Sequence, residues 1–154
     1  MIEYTVKVYT DGSKFWYLNG KRHREDGPAV EWADGTKTWH LNGKCHREDG
    51  PAIEYADGSK YWYLNGKCHR EDGPAIEYTD GNKGWYLNGK LHREDGPAIE
   101  GSDGSKCWYL NNKELTEQEH KKATTKATCV GKEVEIDGVT YVLKLKGQYD
   151  DDLD

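Results

Sequence analysis

Residues 57–79 read DGSKYWYLNGKCHREDGPAIEYT, and this stretch is one copy of a unit of 23 residues. Further copies begin at Asp11, Asp34 and Asp80, and a truncated copy begins at Asp103. A short fixed period is typical of repeat arrays in which each unit packs mainly on its neighbours. Most repeated residues are therefore expected to build the array. A functional surface is expected among the residues that vary between units.

Two turn signals divide each unit into strands. Asn65-Gly66 and its copies predict type I′ hairpin turns, because Asn and Gly tolerate the positive φ angles that such turns require. Asp57-Gly58 and its copies predict the next chain reversal. The strands between these turns predict an all-β fold, an elongated meander of antiparallel hairpins that forms a single-sheet solenoid.

The composition favours a thin sheet over a globular core. Only 34% of the residues are hydrophobic, but 12% are aromatic and six are Trp. Disordered chains are depleted in aromatic residues. The net charge of −6 argues against nucleic acid or an anionic membrane as the partner. The N terminus shows no signal-peptide pattern, and no apolar run approaches the roughly 20 residues of a spanning helix, so a soluble cytoplasmic protein is expected.

The alternation of side chains along the first strand of each unit assigns its two faces. Trp16 and Leu18 share one face, and both residue types recur in every unit, so this face is assigned to packing. The same face is expected to take the apolar residues of the second strand, which are Val30, Ile53, Ile76 and Ile99.

The opposite face varies between units and is the candidate surface for a partner. Tyr is favoured at protein interfaces because it combines a large area, few rotamers and a polar tip. The residues assigned to partner binding are Phe15, Tyr17, His40, Tyr61, Tyr63, Tyr86 and Tyr109. The alternative is cross-strand aromatic packing that only covers the sheet.

The repeated His-Arg-Glu-Asp-Gly-Pro segment, residues 69–74 in one copy, is interpreted as scaffold. Its Gly and Pro predict a bulge or bend. General acid–base catalysis needs a few groups that converge in one pocket, whereas these residues recur about 10 Å apart along the sheet. Arg is expected to pair with carboxylates of neighbouring units, and His is expected to bond to a turn. No enzyme activity, catalytic residue or cofactor is predicted.

Metal binding and disulfides are not predicted either. No pair of Cys or His has the short spacing that is typical of a zinc site. Cys45 and Cys68 occupy equivalent positions in successive units, about 9–10 Å apart, which exceeds the Cα separation of about 7 Å that a disulfide allows. The four cysteines are therefore expected to be free thiols in a reducing compartment.

The array is expected to be flanked by other segments. From Thr116 the sequence Thr-Glu-Gln-Glu is a capping box, and it predicts a short helix from about Glu117 to Thr125. Residues 133–143 then predict a hairpin with an Asp-Gly turn. The predicted segments are a capping half-repeat at 1–10, the array at 11–115, the helix and hairpin at 116–147 and an acidic, disordered tail at 148–154.

The run Trp-Tyr-Leu-Asn-Gly-Lys-Cys-His at residues 62–69 resembles MORN repeats and their bacterial variants. The resemblance covers residues 10–115 and implies an elongated meandering sheet. Where MORN repeats continue His-Gly-x-Gly, this chain reads His-Arg-Glu-Asp-Gly-Pro. This variant resembles a repeat of uncharacterised small proteins of tailed bacteriophages. That second resemblance implies a phage accessory protein in the cytoplasm of a bacterial host.

These observations favour a non-catalytic protein-binding function. For a phage protein, the expected role is to bind and inhibit a bacterial defence protein, as an anti-CRISPR-like inhibitor does. One alternative is a structural protein that forms a homodimer through its C-terminal hairpin. Another alternative is binding of glycan or single-stranded nucleic acid along the aromatic residues, since sugars and bases stack on aromatic rings. No basic groove is evident in the sequence, which counts against nucleic acid.

Overall fold

The fold is known from a computed structural model, which describes residues 3–129, 133–136 and 139–142. One helix, α1, spans Glu117–Cys129. The strands of the first half are β1 Thr5–Val8, β2 Lys14–Leu18, β3 Lys21–Arg22, β4 Val30–Glu31, β5 Lys37–Thr38, β6 His40–Leu41, β7 Lys44–Cys45, β8 Ile53–Glu54, β9 Lys60–Tyr61 and β10 Tyr63–Leu64. The later strands are β11 Lys67–Cys68, β12 Ile76–Glu77, β13 Lys83–Gly84, β14 Tyr86–Leu87, β15 Lys90–Leu91, β16 Ile99–Glu100, β17 Lys106–Leu110, β18 Lys113–Leu115, β19 Glu133–Ile136 and β20 Val139–Val142.

Twelve short strands form one antiparallel sheet, which confirms the predicted meander. Its order is β1-β2-β4-β5-β8-β9-β12-β13-β16-β17-β18, with β3 paired to β2. Each middle unit gives this sheet two strands, and every strand pairs with one strand from its own unit and one from a neighbour. Ile76, for example, lies opposite Tyr61 on one side and opposite Gly84 on the other.

A second row of two-stranded hairpins runs beside the main sheet. Asn65 has a φ of 52° and Gly66 a φ of 80°, so the predicted turn with two positive φ angles is confirmed. Neighbouring hairpins are joined, since the Gly66 N–H donates to the Cys45 carbonyl at 2.8 Å and the Arg47 N–H donates to the Tyr63 carbonyl at 3.1 Å. The array is therefore bonded along both rows.

A Trp main chain connects the two rows in each unit. The Trp62 N–H donates to the Ala75 carbonyl at 2.8 Å, and the Trp62 carbonyl accepts the His69 N–H at 3.0 Å. These bonds lie on either side of the His-Arg-Glu-Asp-Gly-Pro loop. The predicted first strand is continuous only in β2 and β17, and in the three middle units it is interrupted at this Trp.

The second strand faces the opposite way from its predicted orientation. Val30 lies opposite Phe15 in β2 and opposite Thr38 in β5, and cross-strand partners share a face. Val30, Ile53, Ile76 and Ile99 therefore lie on the face of Phe15 and Tyr61, and the prediction that they join the Trp and Leu residues is wrong. The physical reason is the loop between the strands, across which the alternation of side chains cannot be counted.

The deepest burial in the array is at small residues. The side chains with no exposed surface are Ala29, Val30, Ala52, Ala75 and Ala98. Each of these Ala residues follows the Pro of its loop and accepts the Trp N–H bond of its own unit. The buried residues therefore form a narrow row along the sheet, as expected for a thin array of low hydrophobic content.

Both ends of the array are covered by other elements. β1 pairs with β2 along its whole length, from Thr5 opposite Tyr17 to Val8 opposite Lys14. At the other end the capping box is confirmed, because Thr116 N–H donates to Glu119 Oε2 at 2.8 Å and Glu119 N–H donates to Thr116 Oγ1 at 3.2 Å. Helix α1 starts as predicted and continues four residues beyond the predicted end.

The C-terminal hairpin is described in part. β19 and β20 pair antiparallel, with Glu133 opposite Val142 and Ile136 opposite Val139. The predicted Asp-Gly turn at 137–138 and the predicted acidic tail at 148–154 lie outside the described residues.

Candidate protein-binding surface

The residues predicted to bind a partner occur on one face, which we call the aromatic face. It comprises Phe15, Tyr17, His40, Tyr61, Tyr63, Tyr86 and Tyr109 together with the Val and Ile residues opposite them. Contacts across the two rows support this arrangement: the Arg22 guanidinium lies over the Phe15 ring at 5.3 Å, and Arg22 lies opposite Tyr17. Thr38 Oγ1 and His40 Nε2 lie 3.1 Å apart. Phe15 is buried, whereas the other six predicted residues are half-buried.

Four further aromatic residues form an exposed ridge along the same face. The exposed ridge consists of Tyr9, Trp32, Tyr55 and Tyr78, whose exposed fractions lie between 39% and 48%. Phe15 contacts Tyr9 and Trp32 edge to face, with ring centroids 5.0 and 4.9 Å apart. Tyr61 contacts Tyr55 and Tyr78 in the same way, at 5.0 and 5.5 Å. The predicted residues thus support a ridge that the sequence interpretation did not include.

The turn before each new unit holds the ridge residue in place. The Tyr55 N–H donates to the Ser59 carbonyl at 3.0 Å, and the Gly58 N–H donates to the Tyr55 carbonyl at 2.9 Å. Asp57 Oδ1 accepts the Ser59 N–H at 2.8 Å, which closes the turn. Gly58 has a φ of 92°, a conformation that favours Gly. The sequence signal for the ridge was an aromatic residue two positions before the first four of these Asp-Gly turns, those at Asp11, Asp34, Asp57 and Asp80.

The aromatic face is not uniform along the array. The first aromatic cluster is centred on Phe15 and the second on Tyr61, and Thr38 separates them in the intervening unit. In the fourth unit Gly84 takes the equivalent place, where a Cβ would lie 3.0 Å from the Tyr86 ring. Gly84 therefore lets Tyr86 lie close to the sheet. The shape of the aromatic face therefore differs from unit to unit at Thr38 and Gly84.

The phenols of Tyr61, Tyr63 and Tyr86 and the imidazole of His40 are uncharged at neutral pH. Burial raises the pKa of the Tyr61, Tyr63 and Tyr86 phenols above its ordinary value, so the hydroxyls stay protonated. Burial also lowers the pKa of His40, and the Arg22 charge lowers it further, so its imidazole is neutral. These groups offer neutral hydroxyls and ring edges beside the Arg22 guanidinium, and this combination suits contact with a protein surface.

The His-Arg-Glu-Asp-Gly-Pro loops hold their own units together. The Arg70 guanidinium lies 4.1 Å from the Trp62 ring and donates to Asp72 at 2.8 Å, to the Pro74 carbonyl at 3.1 Å and to Glu77 at 2.9 Å. This guanidinium holds the pKa of Asp72 below its ordinary value. The same four contacts recur at Arg24, Arg47 and Arg93.

The prediction that Arg pairs with carboxylates of neighbouring units is wrong, because its carboxylate partners are two and seven residues away in the same unit. The Gly-Pro bend returns the chain to the Arg, which makes these local pairs the closest ones. The predicted bond from His to a turn is confirmed. His69 Nδ1 accepts the Asn88 N–H of the next hairpin turn at 3.0 Å. The loop thus bridges units through the His69 side chain and through the Arg70 main chain, whose N–H donates to the Tyr86 carbonyl at 3.1 Å.

Among the described residues there is no group of three or more His, Cys, Asp or Glu side chains that could hold a metal ion. Within the same residues, no helix is long and apolar enough to span a membrane.

The predicted free thiols are found at Cys45, Cys68 and Cys107. Burial raises the pKa of Cys45 to about 11 and that of Cys68 to about 12. The thiolate is the reactive form, so a rise of two or more units from the ordinary thiol lowers its population at pH 8 at least about 100-fold.

We expect iodoacetamide to alkylate Cys45 and Cys68 at least about 100-fold more slowly in the folded protein than in unfolded protein at pH 8. Mass spectrometry of peptides from a time course, with and without guanidinium chloride, measures both rates. Equal rates in the two conditions would contradict the described burial of these thiols.

Comparison with protein-family models finds no model that matches this chain, and comparison with curated proteins finds no match. The structure contains the repeated hairpins that the resemblance to MORN repeats implies.

Proposed function

We propose that this chain is a non-catalytic protein-binding repeat protein whose partner docks on the aromatic face. The observation that carries the proposal is the exposed ridge, which packs on the buried Phe15 and the half-buried Tyr61. Aromatic side chains that are exposed, rigidly packed and free of charge are the usual anchors of protein interfaces. The variation at Thr38 and Gly84 supports a partner with a defined shape.

We further propose that the partner is a bacterial defence protein and that the chain blocks it by occupying a surface. This part of the proposal rests on the resemblance to the phage repeat variant and on the cytoplasmic setting that it implies. A stoichiometric inhibitor needs only a complementary surface, and an extended array supplies one. The same proposal includes that the chain is a MORN-like repeat protein.

Replacing Tyr55 and Tyr78 together by Ser is expected to abolish capture of a specific protein from bacterial lysate. The two side chains are 39% and 46% exposed, and they form the ridge on either side of Tyr61. Loss of two aromatic anchors is expected to weaken binding at least about 100-fold. The measurement is affinity capture followed by quantitative mass spectrometry, with binding of the recovered protein then titrated by calorimetry.

The matched control is Tyr4→Ser, because Tyr4 is 38% exposed and contacts His23, whose side chain lies outside the aromatic face. This variant should capture the same protein as the parent chain. Equal capture by all three proteins would contradict the assignment of the aromatic face. Recovery of no specific protein by the parent chain would contradict the protein-binding function itself.

Two other functions are separated from this proposal by simple measurements. Binding of an oligonucleotide or a glycan at low salt, lost in the Tyr55 and Tyr78 double variant, would assign the aromatic face to such a ligand instead. A dimer in light scattering that disappears when residues 133–142 are removed would favour a homo-oligomer that assembles through the C-terminal hairpin. The proposed inhibitor requires neither property.

A further inference from the structure

Open notches lie between successive His-Arg-Glu-Asp-Gly-Pro loops, on the face opposite the aromatic face. In one of these loop notches the walls are residues 70–74 and 92–95, and the floor is formed by Trp85 and Leu87. Its volume is about 760 Å³, and the equivalent notches one and two units earlier have volumes of about 750 and 700 Å³. The three loop notches follow one another along the array with the same lining residues.

The walls of a loop notch carry more negative than positive charge. Four carboxylates, from Glu71, Asp72, Glu94 and Asp95, line the notch together with two guanidinium groups. Each guanidinium is already bonded to two carboxylates and stacked on a Trp ring. The outer carboxylates remain in solvent, since the Glu71 and Glu94 side chains are 85% and 68% exposed. The notch is therefore an apolar floor between acidic walls.

The chain itself places a hydrogen-bond donor beyond the last loop. A fifth loop would follow β18, and helix α1 stands in its place and contacts β17, the strand that carries Trp108 and Leu110. His120 of this helix is 3% exposed, and its Nε2 donates to the Arg93 carbonyl at 2.6 Å. Among the described residues, no donor bonds the equivalent carbonyls of Arg24, Arg47 and Arg70. Each of the three earlier loops thus has an Arg main-chain carbonyl that can still accept a hydrogen bond, whereas in the last loop this carbonyl is bonded to His120.

The spacing of the loop notches matches the repeat of a helix surface. Equivalent residues of successive units are separated by two strands, which is about 9.5 Å. Side chains seven residues apart on an α-helix lie on one face with a rise of about 10.5 Å. One helix laid along the array can therefore present a side chain to each of three successive notches.

We propose that the loop notches form a second docking surface, which takes a basic helical segment of a partner protein with Arg or Lys at every seventh position. The alkyl part of each basic side chain contacts the Trp and Leu floor. Its charged end lies between the Glu and Asp side chains of two loops and donates to the Arg main-chain carbonyl. This docking surface is separate from the aromatic face, so it does not depend on the function proposed above.

The test uses two alanine-rich peptides of identical composition, each with three Arg residues. In one peptide the Arg residues are seven positions apart, and in the other they are five positions apart and so fall on different sides of the helix. Fluorescence anisotropy with the full chain measures both affinities at low and at physiological salt. We expect the peptide with Arg residues seven positions apart to bind at least about tenfold more tightly than the other peptide.

A set of charge variants locates the binding. The triple variant Glu48→Gln, Glu71→Gln and Glu94→Gln removes at least one carboxylate from each of the three notches. It is expected to weaken binding of the peptide with Arg at every seventh position about tenfold. The matched control is Glu3→Gln with Glu114→Gln and Glu135→Gln, which gives the same net charge and leaves the notches intact. It should bind within about twofold of the parent.

Equal binding of the two peptides, or equal weakening by the two triple variants, would show general attraction between opposite charges and would overturn the proposal. Self-association that the first triple variant abolishes would assign the loop notches to a second copy of the chain and would overturn it as well. The Tyr55 and Tyr78 double variant should bind the peptide with Arg at every seventh position as tightly as the parent chain does. That result separates this surface from the aromatic face.

Discussion

Replacing Arg70 by Ala is expected to destabilise the protein by about 3 kcal/mol, and most of this loss comes from groups that the Arg leaves behind. The guanidinium stacks on Trp62 and satisfies two carboxylates and the Pro74 carbonyl. Without it, Glu77 loses its ion-pair partner beside the sheet and the bend loses the group around which it folds. Urea unfolding followed by Trp fluorescence measures the change in the free energy of unfolding.

Two controls distinguish the geometry of this side chain from its charge. Arg70→Lys keeps the charge but loses the planar fork, so we expect a loss of about 1.5 kcal/mol. Arg22→Ala removes an Arg of the aromatic face for which the structure shows a ring contact but no carboxylate partner, and it should cost less than about 1 kcal/mol. Equal effects of Arg70→Ala and Arg22→Ala would mean that the loop contacts contribute little to stability.

The hairpins were predictable because their turns are set by local chemistry. Asn-Gly requires two positive φ angles, and the chain adopts them at Asn65-Gly66 and at its copies. The capping box at Thr116 is equally local, since its two reciprocal bonds join residues three apart. Neither feature depends on what packs against it, so a few neighbouring residues are enough to predict each one.

The assignment of faces failed where a loop intervenes. Side-chain alternation holds within one strand, but five residues that include Gly and Pro separate His69 from Ala75. Counting residues across this loop therefore cannot show which face the next strand presents. The observed register, with Ile76 opposite Tyr61, follows from pairing between strands rather than from either strand alone. The partners of Arg70 were misassigned for the same reason, because the bend that returns Glu77 to it is a tertiary feature.

The candidate site was predictable in part. The alternating residues of the first strand were placed together correctly on one face, because they belong to one strand and its hairpin. The exposed ridge was missed because Tyr55 and Tyr78 precede the Asp-Gly turns, where no strand period applies. A regular aromatic residue at a turn was visible in the sequence, but its exposure depends on Tyr61 of the adjacent strand.

Deleting residues 57–79 is expected to give a shorter protein that still folds cooperatively. The deletion joins Ala56 to Asp80, so the next Asp-Gly turn begins where the removed one did. His46 then meets Asn88 in place of Asn65, and the Cys45 carbonyl meets Gly89 in place of Gly66, with the same donors. Because the surface buried on folding falls with length and 23 of the 154 residues are removed, the m-value in urea should fall by about 15%.

Deleting residues 57–68 removes only about half as many residues, yet it should abolish the cooperative transition. This deletion takes away β9, β10 and β11, so that β8 loses one of its two partner strands. The loop at His69 also loses the Trp62 main chain on which it closes. Circular dichroism and urea titration compare the two proteins. A folded product from the smaller deletion, or an unfolded product from the larger one, would contradict a structure in which each unit is completed by its neighbours. We expect that folding depends on whether a deletion removes a whole unit, and not on how many residues it removes.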